Sequence, residues 1–288
     1  MLVGCRRGAG PELAGPRLWR RTDRQRVHGQ LQSPRARLSA LGLRPRRGLS
    51  QSFLEDARVA SAIVRAAHLD ASDEVLEVGP GLGVLTERLV KAARRVVAVE
   101  LDAQLAQLHE AVPNLEIVVG DILTTDVDPL FTGPFVVVAN LPYHITSPAI
   151  RHLLAAKPKR MVIMTQLEVA ERIAAQPGQM SALAVTVQTQ ASVRLVRRVP
   201  ASAFYPRPKV DSAVLVLEPR PEPLVDDLAA FTALVQAGFK QPRKQLANSL
   251  SDGLQIDKAA AIARLGRARI DPTRRPQELT IEDWLRLR

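Results

Sequence analysis

From Phe53 onward the apolar positions recur with two distinct periods. Between residues 56 and 67, Val59, Ile63, Val64 and Ala67 fall on one face, a spacing that predicts a helix. Five short apolar runs rich in β-branched residues follow: "DEVLEVGPG", "RRVVAVELD", "LEIVVGDIL", "FVVVANLPY" and "RMVIMTQ". Most are separated by helical stretches, at 84 to 92, 102 to 111 and 147 to 156. Strands that are apolar nearly throughout and alternate with helices predict a parallel sheet covered on both faces, because both surfaces of each strand must then be dry. Helices near 167 to 175 and 181 to 190, with strands around 192 to 199 and 212 to 218, complete that layer. Pro219, Pro221 and Pro223 then mark a boundary. Beyond them "DDLAAFTALVQAGF", "RKQLANSL", "DKAAAIARL" and "IEDWLRL" all carry helical spacing, which predicts a small C-terminal helical domain over residues 220–288.

Residues 1–48 behave differently. They lack a hydrophobic period and are dense in Arg, Gly, Pro and Leu, the composition of a disordered N-terminal extension. The α/β domain is accordingly expected over residues 49–219. Charge separates the same two parts. The first 48 residues hold 12 Arg, no Lys and two acids, a net of +10. The remaining 28 basic and 27 acidic residues leave only +1 for the rest, so the total of +11 says little about what the folded part binds. An Arg-rich, acid-poor leader fits a mitochondrial transit peptide in composition, but serine is sparse and no amphipathic face appears. A basic tail or an over-long start is the favoured reading, with the protein cytoplasmic. The single cysteine excludes a disulfide framework and a cysteine-based zinc site, and no metal is expected. No apolar run approaches the roughly 20 residues of a membrane span, so no membrane partner is expected.

Candidate chemistry gathers at the ends of the first four runs. "EVGPGLGVLTERL" puts Glu77, Gly79, Gly81 and Gly83 where a strand passes into a helix. Glycines at such a turn let backbone N–H groups approach a ligand closely. The spacing is E-x-G-x-G-x-G, and Val84 stands where the dinucleotide fingerprint needs a small residue, which turns the reading from NAD toward S-adenosylmethionine. Glu100 ends the second run, about 20 residues past the glycines, where an acid accepts from both ribose hydroxyls. Asp121 ends the third and is placed to accept from the adenine amine. Alone, each acid reads as a solvated strand end; three ligand-type groups on one sheet edge read as a site.

The fourth run ends on Asn140, Leu141, Pro142 and Tyr143. By turn chemistry alone, Asn and Pro simply end a strand. On the same edge as a methyl donor the tetrapeptide acquires another reading. An exocyclic base amine is a poor nucleophile because its lone pair is delocalised into the ring. The Asn140 side-chain oxygen and the Leu141 carbonyl accept its two hydrogens, holding the nitrogen toward the methyl carbon by orientation and electrostatics. Pro142 stiffens the loop and Tyr143 offers a face for stacking, worth about 1–3 kcal/mol.

At this point the chain resembles the ribosomal RNA adenine N6,N6-dimethyltransferases, in the small-subunit branch associated with kasugamycin sensitivity. The resemblance runs from about Leu49 to the C-terminus through "QSFL", "EVGPGLGVLT", "VELD", "GDIL", "NLPYHITSP", "FYPRPKVDSAV" and "GFKQPRKQLANSL", in that order. It implies a class I S-adenosylmethionine-dependent methyltransferase: a Rossmann-like, mostly parallel seven-stranded sheet followed by the small helical domain. It implies cofactor contacts at Ser52, Leu54, Gly79, Gly81, Glu100, Asp121 and Asn140, and a second aromatic, Phe204, beside the target base with Tyr143. It implies phosphate contacts at Lys240, Arg243 and Lys244. The family's G-Q-N-F-L is Ser50-Gln51-Ser52-Phe53-Leu54 here, so serine replaces asparagine at 52. The reaction implied is dimethylation of two adjacent adenosines in the 3′-terminal hairpin loop of 16S rRNA in a 30S assembly particle, by a monomer. Target adenines would have to be splayed out of the loop.

Two other classes stay open on sequence: the related large-subunit methyltransferases that confer macrolide resistance, and a non-catalytic assembly or transcription-factor-like binding protein. An NAD oxidoreductase lacks a hydride-transfer constellation.

Overall fold

The computed structural model describes residues 33–49, 51–109 and 112–288. In chain order the helices are α1 (Pro34–Ala40), α2 (Ala57–Ala67), α3 (Thr86–Ala92), α4 (Ala103–Ala106), α5 (Thr146–Ala155), α6 (Leu167–Ile173), α7 (Ala182–Gln190), α8 (Leu228–Gly238), α9 (Leu246–Leu254), α10 (Lys258–Arg267) and α11 (Ile281–Leu287). The strands are β1 (Phe53–Leu54), β2 (Glu74–Val78), β3 (Arg95–Glu100), β4 (Leu115–Val119), β5 (Phe135–Asn140), β6 (Arg160–Gln166), β7 (Ala191–Val199), β8 (Phe204–Tyr205) and β9 (Ser212–Pro219). Seven strands form one sheet in the order β4-β3-β2-β5-β6-β9-β7. The five from β4 to β6 are parallel, and β9 and β7 join antiparallel. This is the covered, mostly parallel sheet that the alternation of apolar runs and helices predicts, in the seven-stranded Rossmann-like form that the resemblance implies.

The central strands β3, β2, β5 and β6 are apolar on both faces because helices cover both. Leu76, Val97, Val137 and Ile163 point to one face, where Ile150, Leu153 and Ile173 of α5 and α6 pack. Their neighbours Val75, Val96, Val136 and Val162 point to the other, against Val59 and Ile63 of α2 and Leu89 of α3. Alternation with period 2 thus feeds two cores rather than one core and solvent. Parallel pairing places the carboxyl ends of β2, β3, β4 and β5 along a single edge.

Two expectations change. The disorder expected through residue 48 does not hold for 33–48, which are structured; residues 1–32 lie outside the described residues. Ser33 caps α1, and Leu38 and Leu41 are buried against Phe53, Leu82 and Leu105. Arg37 approaches Glu87 at 3.4 Å and Arg46 approaches Asp102 at 3.2 Å. Leu38 and the C-cap Leu41, with Pro34 and Arg37 also buried, dock this short helix. The helical part after Pro219 also does not close its own core. Phe231, Leu250, Leu265 and Trp284 pack with Met180, Ala184 and Val185, so α7 and the loop before it supply one wall. Proline spacing marks where the sheet ends, not where the two cores divide.

Candidate active site

A cleft of about 1100 Å³, including its open mouth, runs along the carboxyl edge of the sheet. At one end are the glycines. Gly79, Gly81 and Gly83 have φ of +70°, +55° and +84°, which holds residues 79 to 85 in turns and delays α3 to Thr86, two residues later than the periodicity predicts. His109 lies beneath this turn, 1% exposed, with Nε2 2.9 Å from the Gly81 carbonyl oxygen. Nothing in its sequence context marked His109; the contact spans 28 residues and exists only in the fold.

Glu77 lines the cleft and is 1% exposed. Neither carboxylate oxygen has a hydrogen-bond partner among the described residues. Burial pushes its carboxyl up from 4.5 to about 8; Thr86 opposes that shift from outside hydrogen-bond geometry, and the Glu100 charge adds to it. An orphaned buried carboxylate is costly unless a ligand compensates it, and a cationic group is the matching ligand.

Glu100 is held more firmly. Its Oε2 accepts from the Gly81 N–H at 3.1 Å and its Oε1 from the Asp102 N–H at 2.9 Å. Burial raises its carboxyl, and these backbone donors oppose the rise. Each carboxylate oxygen keeps a second lone-pair site, so a pair of ribose hydroxyls can still donate. Asp121 fixes its own turn by accepting from the Leu123 N–H at 2.9 Å through Oδ1. Apolar walls stand beside these acids: Ile122 is buried, and Leu101 lines the cleft although 53% exposed.

At the other end stands Asn140, whose Nδ2 donates to the backbone carbonyl of Ser52 at 3.5 Å. That contact uses an amide hydrogen and keeps Oδ1 as an acceptor. The Leu141 N–H donates to the Met164 carbonyl at 3.0 Å, which anchors the tetrapeptide to β6. Tyr143 is half-buried and its hydroxyl lies 2.9 Å from Ser212 Oγ. Phe204 is buried, paired through its backbone with Leu54 across the two-stranded β1–β8 sheet, and its ring shares the cleft wall with Tyr143. Ser52 lines the cleft too, but its hydroxyl donates to the Pro206 carbonyl at 2.6 Å. The shorter side chain at 52 therefore ties the cleft to the loop after Tyr205.

The fold thus brings Ser52, Leu54, Gly79, Gly81, Glu100, Asp121, Asn140, Leu141, Pro142, Tyr143 and Phe204 to one cleft. It does not bring Lys240, Arg243 and Lys244 there. They lie between α8 and α9, with Arg243 and Lys244 exposed and Lys240 3.2 Å from Asp252. An exposed pair of that kind holds a lysine weakly. His152 is used structurally: its Nε2–H donates to the Thr125 carbonyl at 2.9 Å. Among the described residues no helix is long and apolar enough to cross a membrane.

The family model described as "Ribosomal RNA adenine dimethylase" matches residues 42–288. The chain is 44% identical over 252 residues to the ribosomal RNA small subunit methyltransferase A of Dehalococcoides mccartyi, covering 84% of this chain and 87% of that protein. It is 41% identical over 263 residues to the protein of the same name from Moorella thermoacetica, covering 84% and 91%. Among solved structures it is similar to the 23S rRNA methyltransferase ErmE, with TM-score 0.67 and 33% identity over 82% of this chain and 97% of that one. A dimethyladenosine transferase from Plasmodium falciparum aligns with TM-score 0.71 and 28% identity over 82% and 95%.

Proposed function

The chain belongs to the ribosomal RNA adenine dimethylase family and is an S-adenosylmethionine-dependent methyltransferase of small-subunit rRNA; from that premise we propose that the cleft at the carboxyl edge of the sheet carries the reaction, with Asn140 to Tyr143 as the base-handling loop. One observation carries this assignment: Asn140 ends β5 in the same cleft as Glu77, the glycine turn, Glu100 and Asp121.

The residues present fit the cofactor. Glu77 offers a buried negative group to its cationic end, the glycine turn a close backbone approach, Glu100 acceptors for a ribose, and Asp121 with Ile122 and Leu101 a polar and an apolar edge for adenine. When bound, the cofactor supplies an electrophilic methyl group.

The chain's own residues do the rest. An adenine entering the cleft splayed from its loop stacks on Tyr143, with Phe204 closing the wall. Asn140 Oδ1 and the Leu141 carbonyl accept the two N6 hydrogens. The Asn140 amide is held by Ser52 before substrate arrives, and the Leu141 backbone is tied through its N–H to Met164, so little reorganisation is required during transfer. The amide is uncharged and does not serve as a strong base; the surplus proton leaves to solvent after transfer. The mouth of the cleft must then admit an amine that already bears one methyl.

Two adjacent adenosines of the 3′-terminal hairpin loop are the targets in this reading, within a 30S assembly particle in the cytoplasm, and the enzyme acts as a monomer. Arg243 and Lys244, with Lys240 exchanging its exposed pair, contact phosphates outside the cleft.

The direct test incubates the purified protein with radiolabelled S-adenosylmethionine and undermethylated small-subunit particles, with large-subunit particles in parallel, followed by nucleoside analysis. N6,N6-dimethyladenosine confined to small-subunit RNA is expected. Label in large-subunit RNA instead would move the protein to the resistance branch, and no label with cofactor binding intact would leave a binding factor.

A further inference from the structure

The tetrapeptide Asn140 to Tyr143 explains which groups meet the base but not what keeps an aromatic ring on a loop in one plane. Its backbone is anchored on β6: the Leu141 N–H donates to Met164, and the Pro142 carbonyl accepts from Thr146 Oγ1 at 3.4 Å. Thr146 Oγ1 in turn lies 2.7 Å from Thr165 Oγ1, and both threonines are buried. None of these contacts fixes the Tyr143 side chain, which rotates about two torsions beyond the anchored backbone.

The far end of that side chain is fixed elsewhere. The Tyr143 hydroxyl lies 2.9 Å from the Oγ of Ser212, 69 residues away. Ser212 is 0% exposed and does not line the cleft. It opens β9 between two neighbours, paired with Gln166 of β6 on one side and Val199 of β7 on the other, so its backbone is held from both directions. A serine at a dry position in an otherwise apolar strand, "SAVLVL", carries a cost unless its hydroxyl is satisfied. Among the described residues that hydroxyl's partner is Tyr143.

We propose that Ser212 is a positioning residue for methyl transfer: its buried hydroxyl holds the Tyr143 phenol and so sets the plane on which the target adenine stacks. The inference rests on the reading of residues 140 to 143 as the base-handling loop and adds a residue that touches neither cofactor nor base. Stacking is sensitive to ring plane and offset, and a misplacement of about 1 Å at the reacting atoms costs rate steeply. The phenol is engaged by Ser212 and acts by orientation, not proton transfer. Burial raises the Tyr143 phenol further above its ordinary value, and the hydrogen bond from Ser212 opposes that rise. The placement also gives a physical reason for the serine in "FYPRPKVDSAV". That segment enters the cleft wall at Phe204, is tied to Ser52 through Pro206, and near its end carries Ser212, the residue that holds Tyr143.

The test is a double-mutant cycle in the full chain: Ser212→Ala, Tyr143→Phe and the two combined, with kcat on undermethylated small-subunit particles and Kd for S-adenosylmethionine by calorimetry. Each single change should lower kcat by about three- to tenfold, the loss of one hydrogen bond expressed as rate, and leave the cofactor Kd within about twofold. The combined variant should be no slower than the slower single one, because both remove the same bond. Losses that multiply, or a Kd that weakens in step with kcat, would overturn the proposal. If Ser212→Ala does not fold, Tyr143→Phe carries the test alone from the half-buried side, and an unchanged kcat there overturns it. The underlying functional reading fails separately, in the wild-type reaction, if small-subunit RNA acquires no dimethyladenosine.

Discussion

The imidazole of His109 lies against Gly83 so closely that a Cβ at residue 83 would fall 2.9 Å from His109 Cε1, while Nε2 of the same ring sits 2.9 Å from the carbonyl oxygen of Gly81. The glycine turn is therefore set from below by a side chain, not by glycine freedom alone. Gly83→Ala meets two penalties: a φ of +84° that an L-residue adopts at roughly 1 kcal/mol or more, and displacement of a buried ring from its bond. S-adenosylmethionine affinity should fall at least tenfold, measured by calorimetry, with a smaller loss of melting temperature. Affinity within twofold of wild type would show that the turn moves freely over His109.

Glu77 predicts a pH dependence. Its carboxyl titrates at about 8 in the folded chain against 4.5 ordinarily, so between those values the folded state binds more protons than the unfolded one. Stability therefore declines as pH rises through that window. Glu77→Gln removes the decline: its melting temperature should match wild type near pH 5 and exceed it increasingly up to about pH 8, with no further gain above. Cofactor binding should show the opposite trend. A cation beside Glu77 favours the ionised form, so wild-type affinity should rise toward pH 8 while the glutamine variant binds more weakly and with a flat profile. Parallel profiles for the two proteins would remove Glu77 from the cofactor's cationic end.

Much of this site is legible in the sequence because a parallel sheet writes its edge into the chain. Each strand is a short apolar run, and the residue ending it, Glu100 or Asn140, or the one two past it, Asp121, must lie on the carboxyl edge. What escapes is contact between distant segments. The two-residue strands β1 and β8 carry no period, yet their pairing brings Phe204 and Ser52 to the cleft. His109 and Ser212 read as a helix end and a strand start until the fold sets them beneath Gly81 and beside Tyr143. Helix α1 escaped for another reason: seven residues with one leucine anchor and a second at the C-cap, embedded among arginines, resemble a disordered tail in composition.

That helix reverses the expectation for truncation. Disorder through residue 48 would leave the melting temperature unchanged on its removal. Leu38 and Leu41 are instead 3% and 6% exposed, and deleting them uncovers Phe53, Leu82 and Leu105 beside the glycine turn. Burial of two leucines contributes on the order of 3–5 kcal/mol at the usual coefficients. For a chain of this size, a loss of that order lowers the melting temperature by roughly 5–10 °C or more. The double change Leu38→Ala and Leu41→Ala in the full chain should reproduce most of the effect in a thermal melt. An unchanged melt would mean that α1 does not dock in solution.

Asn140 separates binding from chemistry most sharply. It ends β5, its backbone is paired with Met164, and its side chain donates to Ser52 while keeping an acceptor for the base amine. Asn140→Ala removes the acceptor and leaves the strand, so S-adenosylmethionine should bind within a few-fold of wild type while kcat falls by about two orders of magnitude, the scale for loss of one preorganised electrostatic group. Asn140→Asp restores acceptors but has no hydrogen to donate to the Ser52 carbonyl, and it sets a charge beside that oxygen. It should recover only part of the rate, since the acceptor is present but no longer held. Full recovery by aspartate would show that the Ser52 contact is dispensable, and equal loss of binding and rate in the alanine variant would make Asn140 chiefly a support for the cofactor.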